Sequence, residues 1–158
     1  MPGTVEVYID AAVSRSYAVV GANQIYLAPQ YTNASDPYAE RVILHDPCYL
    51  GRHNGEYEAP RAVLAAVSKD APLEFPLARE KAMCCGAGGG RFWMEEHLGK
   101  RINVTRVEQA LPQAPQVIAT ACPYCLTMMK DGLATLGRDD VAARDLAELV
   151  AEALPASV

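Results

Sequence analysis

The sequence predicts an α/β fold, a mostly parallel sheet flanked by helices, with cysteine-rich loops at the carboxyl ends of strands. From residue 41 onwards, short apolar runs typical of buried strands alternate with longer segments of helical periodicity. Strands separated by helices pair in parallel, because a parallel crossover needs a dozen or more residues. Cysteines directly follow two of these strands, which places them at the edge of the sheet where ligands bind in such folds.

Residues 1–40 differ in character from the rest of the chain. VEVYID at 5–10 alternates like a strand, and the segment 17–29 predicts two short strands around a Gly-Ala-Asn turn at 21–23. The segment contains no cysteine or histidine, and a turn-rich stretch at 29–40 ends it. We therefore expect an unassigned strand-like segment, 1–40, before a cysteine-rich domain of residues 41–158.

The predicted domain contains two buried strands, RVILHD at 41–46 and QVIATA at 116–121. The first predicted helix is APRAVLAAV at 59–67, with Pro60 tolerated in its first turn. Three further helices are predicted from apolar spacing and end signals: 94–111, 124–137 ending at Gly137, and 140–154 capped by Asp139 or Asp140.

Composition excludes several classes of function. The net charge of −5, with no cluster of Lys or Arg, argues against nucleic acid as a partner, because contacts to phosphate supply most of that affinity. The amino terminus lacks the pattern of a secretory signal, and no apolar run reaches the roughly 18 residues of a membrane span. The chain is expected to be cytoplasmic, and five cysteines there favour metal or redox chemistry over disulfides.

The cysteines form three groups: Cys48, the pair Cys84 and Cys85, and Cys122 with Cys125. Cys48 and Cys122 each follow a predicted strand, so these groups are expected to converge. Cys122 and Cys125 also open a helix, where free N–H groups and the helix dipole favour a thiolate. Five converging thiolates exceed the four ligands of a structural zinc ion, so an iron–sulfur cluster uses them more naturally.

A glycine run follows the adjacent cysteines. Adjacent side chains normally diverge, so a shared centre requires a sharp bend, and glycines permit positive φ and close approach to a cofactor. Their N–H groups can also donate hydrogen bonds to sulfur. The glycines of this loop are therefore expected to support the cofactor, with Gly86 and Gly88 as binding residues: Gly86, Gly88, Gly89 and Gly90.

This cysteine spacing resembles that of the CCG cysteine-rich domain found in heterodisulfide reductase and its relatives. The resemblance covers residues 42–152, and HDPCYLGRHNGEYEAPR with CCGAGGGRFWMEEHLGKRIN is most similar to the carboxy-terminal domain of membrane-linked iron–sulfur oxidoreductases serving electron-transfer flavoprotein. The resemblance implies that the five cysteines hold one [4Fe–4S] cluster, non-cubane in some members, and that the domain relays electrons. It implies partners: other oxidoreductase subunits or domains, including electron-transfer flavoprotein, and through them the inner face of the membrane. Relatives commonly carry two such domains, so this chain is expected to be a fragment or a lone subunit.

Three alternatives stay open at this stage. The tetrapeptide at 122–125 matches the active site of glutaredoxin, but only about 33 residues follow it, too few for the rest of that fold. Zinc in a degenerate site of the same family would give a non-catalytic interaction module of a larger complex. Buried structural cysteines are the third alternative.

Side chains near the cysteines also carry expectations. His45 and His53 flank Cys48 and are expected to donate hydrogen bonds or fill the core rather than to bind metal, while Arg52 and Arg91 are candidates for offsetting negative charge on a cluster. Other apolar side chains are expected to pack in the core or, for the first three, to shield the cluster from water: Phe92, Trp93, Met94, Met128 and Met129.

Overall fold

A computed structural model of the chain describes residues 40–95 and 99–153, together with the backbone of three short strands at 6–9, 17–19 and 24–27. These strands are β1 (Glu6–Ile9), β2 (Tyr17–Val19) and β3 (Gln24–Leu27). β3 lies in the middle of their sheet, parallel to β1 and antiparallel to β2. The three predicted strands are therefore confirmed, whereas the domain boundary near residue 40 stays a prediction.

A second sheet carries the cysteine-rich region. Its strands are β4 (Val42–Leu44), β5 (Leu73–Glu74), β6 (Val117–Thr120) and β7 (Ala142–Asp145). They are all parallel, in the order β5-β4-β6-β7, which confirms the predicted α/β class. Four helices accompany them, none of the described ones long and apolar enough to cross a membrane: α1 (Glu58–Val67), α2 (Ile102–Ala110), α3 (Pro123–Thr135) and α4 (Leu146–Glu152).

Side chains alternate across the central strands and divide the core into two clusters. On the face that we call the aliphatic face, the strands pack against α1 and α4 through six buried residues: Val42, Leu44, Leu64, Val117, Ala119 and Leu149. Ile43 and Ile118 point the other way, toward α2 and α3, and share their cluster with Cys85 and Cys125. We call this second side the cysteine face. Cys85 and Cys125, on a loop and on α3, therefore pack against the side of the sheet to which Ile43 and Ile118 point.

Two of the predicted helices differ from the observed elements. The helix predicted at 94–111 begins only at Ile102, because Gly99 has a φ of 71° and residues 99–101 are not helical; residues 96–98 lie outside the described part. The segment predicted to start the last helix is instead strand β7, which pairs with β6. α4 is capped by Asp145, whose carboxylate accepts from the N–H of Ala147 in a capping box with Glu148, and not by Asp139 or Asp140.

Candidate metal centre

The five cysteines lie on loops and a helix start that follow the strands of the parallel sheet. Cys48 is exposed in the turn after β4, Cys84 and Cys85 precede the glycine run, and Cys122 is the N-cap of α3. Cys125 is buried in the first turn of α3. Cys84 and Cys122 pack against the core cluster that contains Cys85 and Cys125. All five carry free thiols.

Three thiols form a connected group. The interaction of Cys84 with the Cys85 thiol, reinforced by burial, raises the pKa of Cys84. A hydrogen bond with the Cys125 side chain is the main reason that the pKa of Cys85 rises to about 12. Protonated thiols are poor metal ligands, so a cation that binds here must displace protons from this group.

A histidine completes the buried part of the site. Ligand atoms of His45, Cys85 and Cys125 all lie within 4.8 Å of one another, and all three residues are buried. The structure therefore brings together two of the predicted cysteine groups around His45. Cys48, Cys84 and Cys122 lie outside this trio, and the five-cysteine ligand set stays a prediction.

The loop that carries Cys48 is anchored on both sides. Arg52 lies in the short helical turn Tyr49–His53, which follows Cys48. Its Nη2 donates to the carbonyl oxygen of Ala82, 2.6 Å away, and Ala82 lies just before the adjacent cysteines. Arg52 thus ties two cysteine loops together. Asp46, two residues before Cys48, accepts from both Nη atoms of Arg61 at 2.7 and 3.0 Å.

The glycine loop bends as expected, and two features require a glycine at position 86: its positive φ and its close packing against α2. Gly86 has a φ of 97°, and its N–H donates to Cys84 Sγ over 3.3 Å. A Cβ at Gly86 would lie 3.2 Å from Ile102 Cβ and 3.3 Å from the Asn103 nitrogen, so close packing against α2 also requires glycine there. Gly88 has no positive φ, and a Cβ there would come within 3.8 Å of Cys84 Sγ. Packing against α2 therefore constrains Gly86 in addition to any role in holding a cofactor, and that role stays a prediction.

Buried polar side chains surround the thiols on the cysteine face. His45 and Arg106 are fully buried, and Arg106 Nε donates to His45 Nδ1 over 3.1 Å. Burial, together with the Arg106 charge, lowers the pKa of His45 to about 3. Arg106 was not singled out from the sequence, although its spacing from Asn103 and Ala110 fits the buried stripe of α2. That helical spacing is the signal that could have found it.

The expectations for neighbouring side chains divide clearly. His45 lies in the core as expected, whereas His53 is exposed and stacks on Tyr49 with ring centroids 4.8 Å apart. Trp93 and Met94 are 80% and 63% exposed, so they do not pack in the core. Packing in or against the core is confirmed for the remaining three: Phe92, Met128 and Met129.

Comparisons with known proteins converge on one family. The family model described as "Cysteine-rich domain", CCG, matches residues 42–130, more than half of the chain. The chain is 48% identical over 129 residues to "Probable iron-sulfur-binding oxidoreductase FadF" of Bacillus subtilis, covering 81% of this chain and 18% of that protein. It is 43% identical over 128 residues to "EtfAB:quinone oxidoreductase" of Syntrophomonas wolfei, covering 76% and 18%.

A more distant relative comes from a methanogen. One subunit of the "Dihydromethanophenazine:CoB--CoM heterodisulfide reductase" of Methanosarcina barkeri is 38% identical over 118 residues, 75% of this chain and 29% of that protein. The chain thus spans less than a third of the length of each of these relatives. Their named activities belong to much longer proteins.

Proposed function

Because this chain belongs to the CCG cysteine-rich domain family, we propose that it is an iron–sulfur electron-transfer domain or subunit of a heterodisulfide reductase-like oxidoreductase. The observation that carries the proposal is the buried trio of His45, Cys85 and Cys125, with ligand atoms within 4.8 Å of one another, beside the Cys84 thiol. The proposed centre is one [4Fe–4S] cluster, cubane or non-cubane, with these ligands: Cys48, Cys84, Cys85, Cys122 and Cys125.

The residues present fit such a group. Thiolates are the preferred ligands of iron–sulfur clusters, and backbone N–H groups that donate to sulfur adjust the cluster's potential. The N–H of Gly86 already points at Cys84 Sγ. Two buried donors on the same face, His45 Nε2 and Arg106 Nη2, have no hydrogen-bond partner among the described residues. A sulfur-rich anionic group would give both of them acceptors.

When bound, the cluster would supply reversible one-electron chemistry, and this chain's residues would set where and how easily it occurs. The thiols would hold the cluster at the carboxyl edge of the sheet. Ile118, Met129 and Phe75, buried on the same face, would keep water from one side of it. Arg52 would hold the exposed Cys48 loop against the adjacent-cysteine loop through its bond to Ala82.

The proposal includes partners, since the relatives are larger oxidoreductases and one is named for electron-transfer flavoprotein and quinone. We therefore expect this chain to exchange electrons with other oxidoreductase subunits or domains, including electron-transfer flavoprotein. The isolated 158 residues should not sustain turnover of a donor and acceptor pair by themselves. Through such partners, the chain would work at the inner face of a membrane.

Zinc is the second candidate, and a specific observation favours it. A histidine and two cysteines with ligand atoms within 4.8 Å of one another would supply three of the four ligands of a tetrahedral zinc site. The chain would then be a non-catalytic module of a larger complex. Against it, the Arg106 bond already uses the Nδ1 lone pair of His45.

Anaerobic purification with iron, sulfide and zinc analysis tests the proposal. We expect about four iron atoms and four labile sulfides per chain, with visible absorption that bleaches on reduction. Single Cys→Ala variants at the five positions should lose iron, whereas Tyr49→Ala, next to Cys48 and 70% exposed, should retain it. Stoichiometric zinc without sulfide after anaerobic reconstitution would refute the iron–sulfur proposal and support the zinc module.

A further inference from the structure

Arg106 is a buried cation with an incomplete set of partners. Its Nη1 donates to the Leu77 carbonyl and to Gln109 Oε1, both at 2.9 Å, and its Cζ lies 3.7 Å from the Phe75 ring centroid. Its Nη2 has no hydrogen-bond partner within the described part of the chain, and none of its hydrogen bonds reaches a carboxylate. A buried charge left this way is costly unless something anionic lies nearby.

The Nε–H donor of Arg106 determines which ring nitrogen of His45 carries the proton. A guanidinium has donors and no acceptors, so in the 3.1 Å contact between Arg106 Nε and His45 Nδ1 the ring nitrogen must accept. A neutral imidazole carries one proton, which therefore lies on Nε2.

Nε2 of His45 is thus a buried N–H donor, and it has no partner among the residues that the structure describes. A ring nitrogen of His45 lies within 4.8 Å of both Cys85 Sγ and Cys125 Sγ. The Nδ1 lone pair is used by Arg106, and Nε2 keeps its proton, so neither nitrogen is free to bind iron. The same ring is well placed to donate to sulfur.

We propose that His45 is a positioning residue that donates its Nε2–H to a sulfur of the centre held by Cys85 and Cys125, and that Arg106 fixes this tautomer and supplies the neighbouring positive charge. This inference rests on the proposed iron–sulfur function. It assigns His45 as a donor and excludes it as an iron ligand. The pair forms no covalent bond and exchanges no proton when the centre takes up an electron.

The arrangement has a defined redox consequence. Hydrogen bonds to cluster sulfurs and nearby positive charge stabilise the more negative, reduced state, so they raise the reduction potential. Loss of the His45 donor should therefore shift the potential to a more negative value. Loss of Arg106 should shift it in the same direction, because both the charge and the tautomer are lost.

The first measurement concerns the tautomer and needs no iron. In the metal-free chain, ¹⁵N chemical shifts of the His45 ring at pH 7 should show a protonated Nε2 and an unprotonated Nδ1. Arg106→Met should remove the constraint on Nδ1, whereas Arg138→Lys, at an arginine that pairs with Asp140 on the surface, should leave the His45 shifts unchanged. A proton on Nδ1 of His45 in the unaltered chain would overturn the inference.

The second measurement is the potential of the iron-loaded chain. His45→Met should keep its iron and show a more negative midpoint potential, His45→Gln should recover much of the shift because its amide can donate, and His53→Met on the exposed loop should match the unaltered chain. If His45→Met folds poorly, the Arg106→Met potential and the ¹⁵N spectrum decide. Full iron with an unchanged potential in His45→Met would overturn the donor role.

Spectroscopy of the reduced cluster separates donor from ligand. With ¹⁵N-labelled histidine, a directly bound nitrogen gives a large hyperfine coupling, whereas a hydrogen-bonded one gives a much weaker coupling. We expect only the weak coupling, and we expect His45→Met to abolish it. A strong coupling would overturn the inference while leaving the iron–sulfur function intact, whereas an unaltered chain that binds no iron would overturn both.

Discussion

The two faces of the parallel sheet each bury an arginine, and the two arginines have opposite surroundings. On the α1 side, Arg61 donates to Asp46 and to Glu74, with Nε 2.5 Å from Glu74 Oε1. Burial alone would lower the pKa of Arg61, but its hydrogen bonds to the two carboxylates raise it. On the cysteine face, burial lowers the pKa of Arg106 to about 10, and its Nη2 has no hydrogen-bond partner within the described residues.

This difference shows which side of the sheet has more of its buried polar groups paired. The aliphatic face has an apolar cluster, a satisfied arginine and a helix with a full capping box, and Ser68, the C-cap of α1 on that side, has a buried Oγ without a partner among the described residues. The cysteine face has unpartnered polar atoms at the ends of strands or in helices, among the described residues: His45 Nε2, Arg106 Nη2, Thr120 Oγ1 and Asn103 Oδ1. Native proteins pair most buried polar groups, so a face with several exceptions is organised for a bound group.

The largest expected effect comes from breaking the satisfied ion network. Arg61→Met leaves Asp46, whose side chain is 3% exposed, as a buried carboxylate without its partner. We expect a loss of about 3–5 kcal/mol in the free energy of unfolding, measured by urea denaturation of the metal-free chain. Arg138→Met removes an exposed pair with Asp140 and serves as the control that should hardly change stability.

The matched substitution on the other face sharpens the comparison. Arg106→Met removes a buried charge that has no hydrogen-bonded carboxylate in the described part of the chain, so it should cost clearly less than Arg61→Met in the metal-free chain. In the iron-loaded chain the difference between the two losses should become smaller. A cluster that binds only the folded state adds to its stability, and Arg106→Met would lose part of that addition. Equal losses for both arginines without metal would mean that the two faces do not differ in this way.

A smaller effect is expected from the apolar packing on the aliphatic face. Leu64 is fully buried between α1 and the sheet, and Leu64→Ala should cost about 3 kcal/mol through lost burial and the cavity left behind. Because this cluster does not contain the thiols, iron per folded chain should remain unchanged. The measurements are urea denaturation and iron analysis on the same preparation, and a loss of iron in folded Leu64→Ala would show that the faces are coupled.

The sequence was sufficient for those parts of the fold that depend on local pattern. Buried strands such as β4 and β6 are nearly continuous apolar runs, and Gly137, with a φ of 61°, follows the end of α3 as a helix stop. β7 was missed because its sequence, AARD, has alanines that fit a helix as well as a strand. Its pairing with β6 is a tertiary choice that no local window contains.

The candidate site shows the same limit. The strand ends predicted that the Cys48 and Cys122 groups converge. The structure places Cys125 of the second group beside Cys85, whereas Cys48 lies outside the trio, so the full ligand set stays a prediction. The burial of Arg106 was not predicted, since a charged residue in an amphipathic helix is ordinarily assigned to the surface. The constraint on Gly86 comes from Ile102 and Asn103, which approach it only in the folded chain.

The smallest expected effect concerns the glycine loop, where the two reasons for a glycine can be separated. Gly86→Ala places a methyl group at a φ of 97° and 3.2 Å from Ile102 Cβ, so we expect a loss of about 2 kcal/mol in the free energy of unfolding. Gly89→Ala has a similar left-handed φ of 65°, but nothing lies within 4 Å of its Cβ, so it should cost about 1 kcal/mol.

Iron content then decides what the loop geometry is for. Because the Gly86 N–H donates to Cys84 Sγ, a shift of this residue should lower the iron per folded chain in Gly86→Ala more than in Gly89→Ala. Circular dichroism at equal folded fraction separates loss of the site from loss of the fold. If Gly86→Ala retains full iron, the glycine is required for packing against α2 and not for binding the cluster. The cysteine face would then bind iron even when this loop has moved.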